Sequence, residues 1–233
     1  MKQLDASELQ SYAERLEPET RKSIASAWLS AALDEHASIA AFSRFSLHLI
    51  ALGAPPQLLG AAHQAALDEL EHTKLCFAVY EVYASEPAAP SPLHLPKDLL
   101  GPLTPEAIVG AAVAEGCVGE TIAAHEAGQL AELCEVEALQ RVLKQIAQDE
   151  QKHAELAWQF VTWALSRYDA SVRDAVVDAF AATCVADDQS YSASAEDSAY
   201  IAHGIAPLKL KSSLRTAAIA EVITPLREAL LAR

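Results

Sequence analysis

Glycine is scarce in this sequence, with 8 among 233 residues, and aromatic residues make up only 6%. Strands favour branched and aromatic side chains and hairpins need glycine, so both shortages argue against a sheet. Alanine and leucine dominate instead, and both cost little in a helix. Cations are also short: 17 Lys and Arg face 32 Asp and Glu, for a net charge of −15. Such a surface repels nucleic acid and anionic lipid, so neither is an expected partner. Cys76, Cys117, Cys134 and Cys184 form no CxxC pair and no metal-finger spacing. Reduced thiols in a cytoplasmic protein are therefore expected. The opening MKQLDASELQ lacks the apolar stretch of a signal peptide. No run of about 18 uninterrupted apolar residues occurs, so no membrane span is expected.

What is present is helical pattern with clear punctuation. A short amphipathic start, Ser7 to Leu16, precedes a long helix opened by Pro18 and running to Leu52. Gly53-Ala54-Pro55-Pro56 makes a tight turn, and a second helix is expected from Pro56 to Ala84. Five prolines between Ser85 and Thr104 exclude a continuous helix there. Thr104-Pro105-Glu106 reads as the start of a third helix ending near Leu133, and a fourth is expected from Val136 to Arg167. Two antiparallel hairpins joined by one long crossover make a four-helix bundle over residues 1–168. Residues 169–233 are expected to pack on it as a helical extension: a helix from Ala170 to Cys184, a polar stretch from Asp187 to Asp197, and a last helix broken near Pro225.

Two segments carry chemistry. Asp68-Glu69-Leu70-Glu71-His72 lies in the second helix and Asp149-Glu150-Gln151-Lys152-His153 in the fourth. A Glu three residues before a His shares its helix face, so an oxygen and an imidazole nitrogen can ligate one metal ion together. Each hairpin also offers a lone mid-helix carboxylate, Glu35 or Glu120, where an Ala-rich bundle is otherwise apolar. Buried carboxylates at that height are costly unless neutralised, and a divalent ion does so. The expected ligands are Glu35, Glu69 and His72 from one half, and Glu120, Glu150 and His153 from the other. Glu69 and Glu150 would bridge, with Asp68 and Asp149 orienting the imidazoles. Glu115, five residues before Glu120, faces another way on a plain α-helix, so one of the two is the ligand; hairpin symmetry favours Glu120, with Glu115 behind the ligands.

The set of one lone Glu and one ExxH per half resembles that of the ferritin-like di-iron or di-manganese carboxylate superfamily. The likeness covers residues 20–167. The two DExxH segments resemble the DExRH motif of bacterial di-iron oxygenases, with Glu71 and Lys152 in place of Arg. Glu115-Gly-Cys-Val-Gly-Glu120 partly resembles the third helix of the tRNA-isopentenyladenosine hydroxylase family, with Cys117 two places displaced. The resemblance implies a ferritin-like bundle holding two iron ions (manganese being the alternative), with dioxygen or peroxide and a small molecule as partners. It implies an oxidoreductase of hydroxylase or peroxide-reducing type, in a chain that could pair as a homodimer. The alternatives are a non-catalytic metal-handling protein and a tRNA-modifying hydroxylase, the latter opposed by the net charge.

Overall fold

A computed structural model describes residues 6–184 and 194–232. Among the described residues there are helices and connections and no strand. They are α1 (Ala6–Ala13), α2 (Pro18–Leu52), α3 (Pro56–Ala84), α4 (Pro105–Leu133), α5 (Glu137–Arg167), α6 (Ala170–Thr183), α7 (Ala195–Ala202) and α8, which begins as Leu208–Ala218 and continues through Thr224–Leu231. The polar stretch expected from residue 187 lies largely outside the described residues, and its end belongs to α7, opened by a capping box on Ser194 and Asp197.

Local chemistry sets the long elements. Proline opens the first turns of α2, α3 and α4, where its missing N–H would have had no helical partner. Gly53 ends α2 at φ 64°, a left-handed conformation that spares glycine the Cβ clash, and Ala54 N–H returns to the Leu49 carbonyl. Ser85 takes the same role after α3 at φ 59° without being glycine. Arg21 holds it there, bonding the Ser85 hydroxyl while its Nε donates to the Tyr83 carbonyl at 2.6 Å.

Helices α2 and α3 pack along each other, as do α4 and α5, and the two hairpins meet through α3 and α5. The proline-rich crossover lies against α2, where His48 Nε2 is 2.8 Å from the Leu100 carbonyl oxygen. By length and composition α4 could cross a membrane, although Glu115 and Glu120 interrupt its apolar run. In this fold its apolar side packs on α5 and α6.

Two stretches depart from plain α-helix. Val113–Glu120 within α4 and Ile219–Ile223 within α8 are π-wound, with hydrogen bonds reaching five residues along. The break expected at Pro225 is therefore absent. The widened turn ends just before it, and Pro225 stands in the first turn of Thr224–Leu231.

The core forms two apolar bodies. One gathers Trp28, Tyr83, Leu130, Leu139, Leu143, Leu210 and Leu214; the other gathers Phe42, Leu49, Ile108, Val113, Phe160, Phe180, Ile219 and Ile223. Helix α8 contributes to both bodies and α6 to the second, so the extension is packed into the bundle. Between the two bodies the buried side chains turn polar: Glu69, His72, Glu150 and His153.

Candidate metal centre

Helical spacing delivers six side chains to that middle layer. Glu69 and His72 share one face of α3, and Glu150 and His153 share one face of α5. Glu35 reaches them from α2 and Glu120 from the π-wound part of α4. Glu35 meets the height of His72 rather than of Glu69, because residues 35 and 72 are equidistant from the turn at Gly53-Ala54.

The carboxylates straddle the two imidazoles. Glu150 places Oε1 3.3 Å from His72 Nδ1 and Oε2 3.1 Å from His153 Nδ1. Glu69 does the converse, with Oε2 3.6 Å from His72 Nδ1 and Oε1 3.1 Å from His153 Nδ1. Glu35 Oε2 is 3.5 Å from His72 Nδ1. Two groups result, Glu35-Glu69-His72-Glu150 and Glu69-Glu120-Glu150-His153, in each of which one ligand atom per residue lies within 4.8 Å of all the others. Glu69 and Glu150 belong to both.

The outer ring nitrogens are held by aspartates, and the pairing crosses between hairpins. His72 Nε2 lies 3.3 Å from Asp149 Oδ2, and His153 Nε2 lies 3.4 Å from Asp68 Oδ2. Each Nε2–H donates to a carboxylate, leaving Nδ1 turned to the centre. Asp149 is itself held by Lys152 Nζ at 2.7 Å, and Asp68 by Gln64 Nε2 at 2.9 Å. Lys152, in the motif's variable position, thus supports an orienting aspartate. Glu71, its counterpart, bonds Lys74 instead.

Without a metal the layer is self-neutralised. Burial pushes Glu35 up to about 8 and Glu120 well above the carboxylate range, so both carry protons near neutrality. Burial would also raise Glu69 and Glu150, but the imidazoles of His153 and His72 beside them outweigh it and hold both ionised. Against burial, those carboxylates push His72 up to about 12 and His153 to about 9. The histidines therefore share with raised carboxyl pKa values the task of neutralising the layer. Even so, His72 Nδ1 and Glu69 Oε2 are buried with no hydrogen-bond partner. Buried polar atoms rarely stay orphaned, and two of them facing one gap is what a cation-binding site requires. Buried Glu and His groups here could hold a metal ion.

Glu115 stands apart. It is exposed and paired with Arg44 on α2. The π winding nevertheless brings it toward Glu120's side, since five residues is that helix's own hydrogen-bonding step. Both line a small cavity of about 50 Å³ with Phe42 and His153. Phe42, whose ring centroid is 4.9 Å from that of His153, and Arg44 had no sequence signal. The same holds for Cys76, which lines a larger cavity of about 500 Å³ reaching Glu35 and Glu150. None of these belongs to a spaced motif; tertiary packing alone brings them in.

No family model, curated protein or solved structure matches this chain.

Proposed function

We propose that the middle layer binds two divalent metal ions, iron by preference and manganese as the alternative, in a ferritin-like bundle, and that the protein is a di-metal oxidoreductase. The observation carrying this reading is the straddling of Glu69 and Glu150, each with one oxygen toward His72 Nδ1 and the other toward His153 Nδ1. Charge is consistent with it. Two divalent ions replacing four protons, from Glu35, Glu120 and both imidazoliums, would leave the layer's charge unchanged. Oxygen-rich donors with imidazole suit iron and manganese.

Bound metals would supply redox chemistry toward dioxygen or peroxide. The chain's own residues would do the rest. Glu69 and Glu150 would bridge, Glu35 and Glu120 would each complete one side, and Asp149 and Asp68 would fix the ring tautomers. Phe42 and the apolar bodies above and below would keep bulk water out. The large cavity beside Glu35 favours an enzyme over a passive metal holder, because a holder needs no such space. The net charge of −15 favours a small-molecule substrate over tRNA.

Elemental analysis after anaerobic loading tests the first half of the proposal. Two ions per chain are expected, and Glu69→Gln or Glu150→Gln should lose both together. One ion or none refutes it. Exposure of the ferrous protein to dioxygen or peroxide tests the second half. Oxidation within seconds supports an enzyme, whereas two tightly held, inert ions would leave only a metal-binding role.

A further inference from the structure

The cavity of about 500 Å³ lies on the His72 side of the layer, ending on Glu35 and Glu150. Its size falls within the roughly 300–1,000 Å³ typical of small-molecule sites. It runs from Glu35 back to Ala27 along α2, eight residues or about 12 Å of helix. Its width comes from small side chains: Ala27 and Ala31 on α2 face Ala123 and Ala127 on α4, where leucines would fill it.

Its far wall is the extension, for which the sequence offered no role. Gly204-Ile205-Ala206 closes the space between α2 and α4, and this segment is firmly placed. The Trp28 indole donates to the His203 carbonyl at 3.2 Å, His203 Nδ1 is 2.5 Å from the Tyr83 hydroxyl, and Glu135 N–H donates to the Ala202 carbonyl at 2.9 Å. A Cβ on Gly204 would come within 3.2 Å of both Leu143 and Trp28, so the backbone itself is pressed against the wall. Polar groups on the lining are mostly acids. Asp34 is exposed, and Glu126 is engaged by Lys211 at 3.5 Å, the sole cation on the lining.

We infer that this cavity is a binding site for a slender, chiefly apolar organic molecule carrying an amino or hydroxyl head group rather than an acidic one. Alanine walls fit an apolar body about one chain wide. The lining's lysine is already paired with Glu126 and Asp34 stands exposed beside the cavity, so the lining leaves no unpaired cation to hold an anion. The molecule's inner end would stop beside Glu35, within reach of the proposed metals, so its role as substrate rests on the di-metal reading. The site itself does not.

Calorimetric titration of the full chain, with and without metal, using octylamine, octanol and octanoate tests this. Octylamine and octanol should bind once per chain, with octanoate weaker by about tenfold or more. Ala31→Leu should weaken octylamine by at least about tenfold, through loss of the space it occupies, with metal content unchanged. Where Ala31→Leu fails to fold, Ala123→Leu fills the cavity from the opposite wall. Absence of binding by every probe, unchanged affinity in the filled variant, or tightest binding by octanoate overturns the inference. Probe binding without metal binding would refute the di-metal reading alone, and metal binding without probe binding would refute the cavity alone.

Discussion

Gly116 is the glycine at which an added Cβ would be most crowded among the described residues, and replacing it should disturb one side of the centre more than the other. A Cβ there would lie 2.4 Å from Ala157 Cβ. Carbon atoms in contact sit at about 3.5–4.0 Å, so roughly 1 Å of separation must be found. Ala157 has no rotamer that moves its Cβ, and the two helices must part. Alanine would gain about 1 kcal/mol over glycine in helix propensity. Overpacking of this kind costs about 1–3 kcal/mol, and at 2.4 Å the upper half applies. A net loss of about 1–2 kcal/mol results, or about 2–8 °C in melting temperature for a chain of this size. Glu120 stands one turn after Gly116, and His153 one turn before Ala157, so the parting should weaken the metal group they share.

Thermal unfolding by circular dichroism, with metal titration, reads both effects. Gly116→Ala should melt lower and lose affinity chiefly for one of two ions. Adding Ala157→Gly moves the methyl to the facing helix and should restore both, giving a favourable coupling of about 1 kcal/mol or more. A Gly116→Ala variant that melts at or above the parent, with the two substitutions merely additive, refutes the close approach.

Asp149→Ala should weaken metal affinity on the His72 side by about 10- to 100-fold, and Asp68→Ala on the His153 side. Calorimetric titration that assigns each loss to the aspartate's own helix would contradict the crossed pairing of the structure. His203 carries a pH prediction. Burial lowers its pKa, so the folded chain takes up the proton less readily than the unfolded one. Stability it contributes is present above the ordinary histidine value of about 6.5 and is lost as pH falls through it. Between about pH 7.5 and 5.5 the parent should therefore lose more melting temperature than His203→Gln, and equal losses would remove His203 as a cause.

Much of the buried Glu and His layer was legible because helices project regular spacing into space. ExxH places Glu69 with His72 and Glu150 with His153 whatever the rest of the chain does, and turn positions set which heights meet. What was not legible depends on departures from that regularity or on distant packing. Placing Glu115 by its rotation from Glu120 assumes a plain α-helix, and Val113–Glu120 is π-wound. Nothing in Val-Ala-Glu-Gly-Cys-Val-Gly-Glu announces that winding. The aspartates were legible as orienting groups, but their crossing depends on how α3 and α5 face each other. The extension has no motif, because Gly204-Ile205-Ala206 contributes backbone and small side chains to a wall rather than reactive groups.

The duplicated motif also conceals an asymmetry decided by side-chain volume. The two halves offer matching Glu and His, and motif symmetry alone predicts equal sides. On the His153 side, Phe42, Phe45 and Leu156 close in and leave about 50 Å³. That is room on the scale of a water molecule, whose share of the liquid is about 30 Å³. On the His72 side the lining of α2 and α4 is largely alanine, and about 500 Å³ remains, walled by a C-terminal segment outside the repeat. A binding pocket on both sides would require the phenylalanines to leave, and a pocket on neither side would require the alanines to grow. The chain keeps large residues against one imidazole and small ones beside the other, and that division leaves about 50 Å³ on one side and about 500 Å³ on the other.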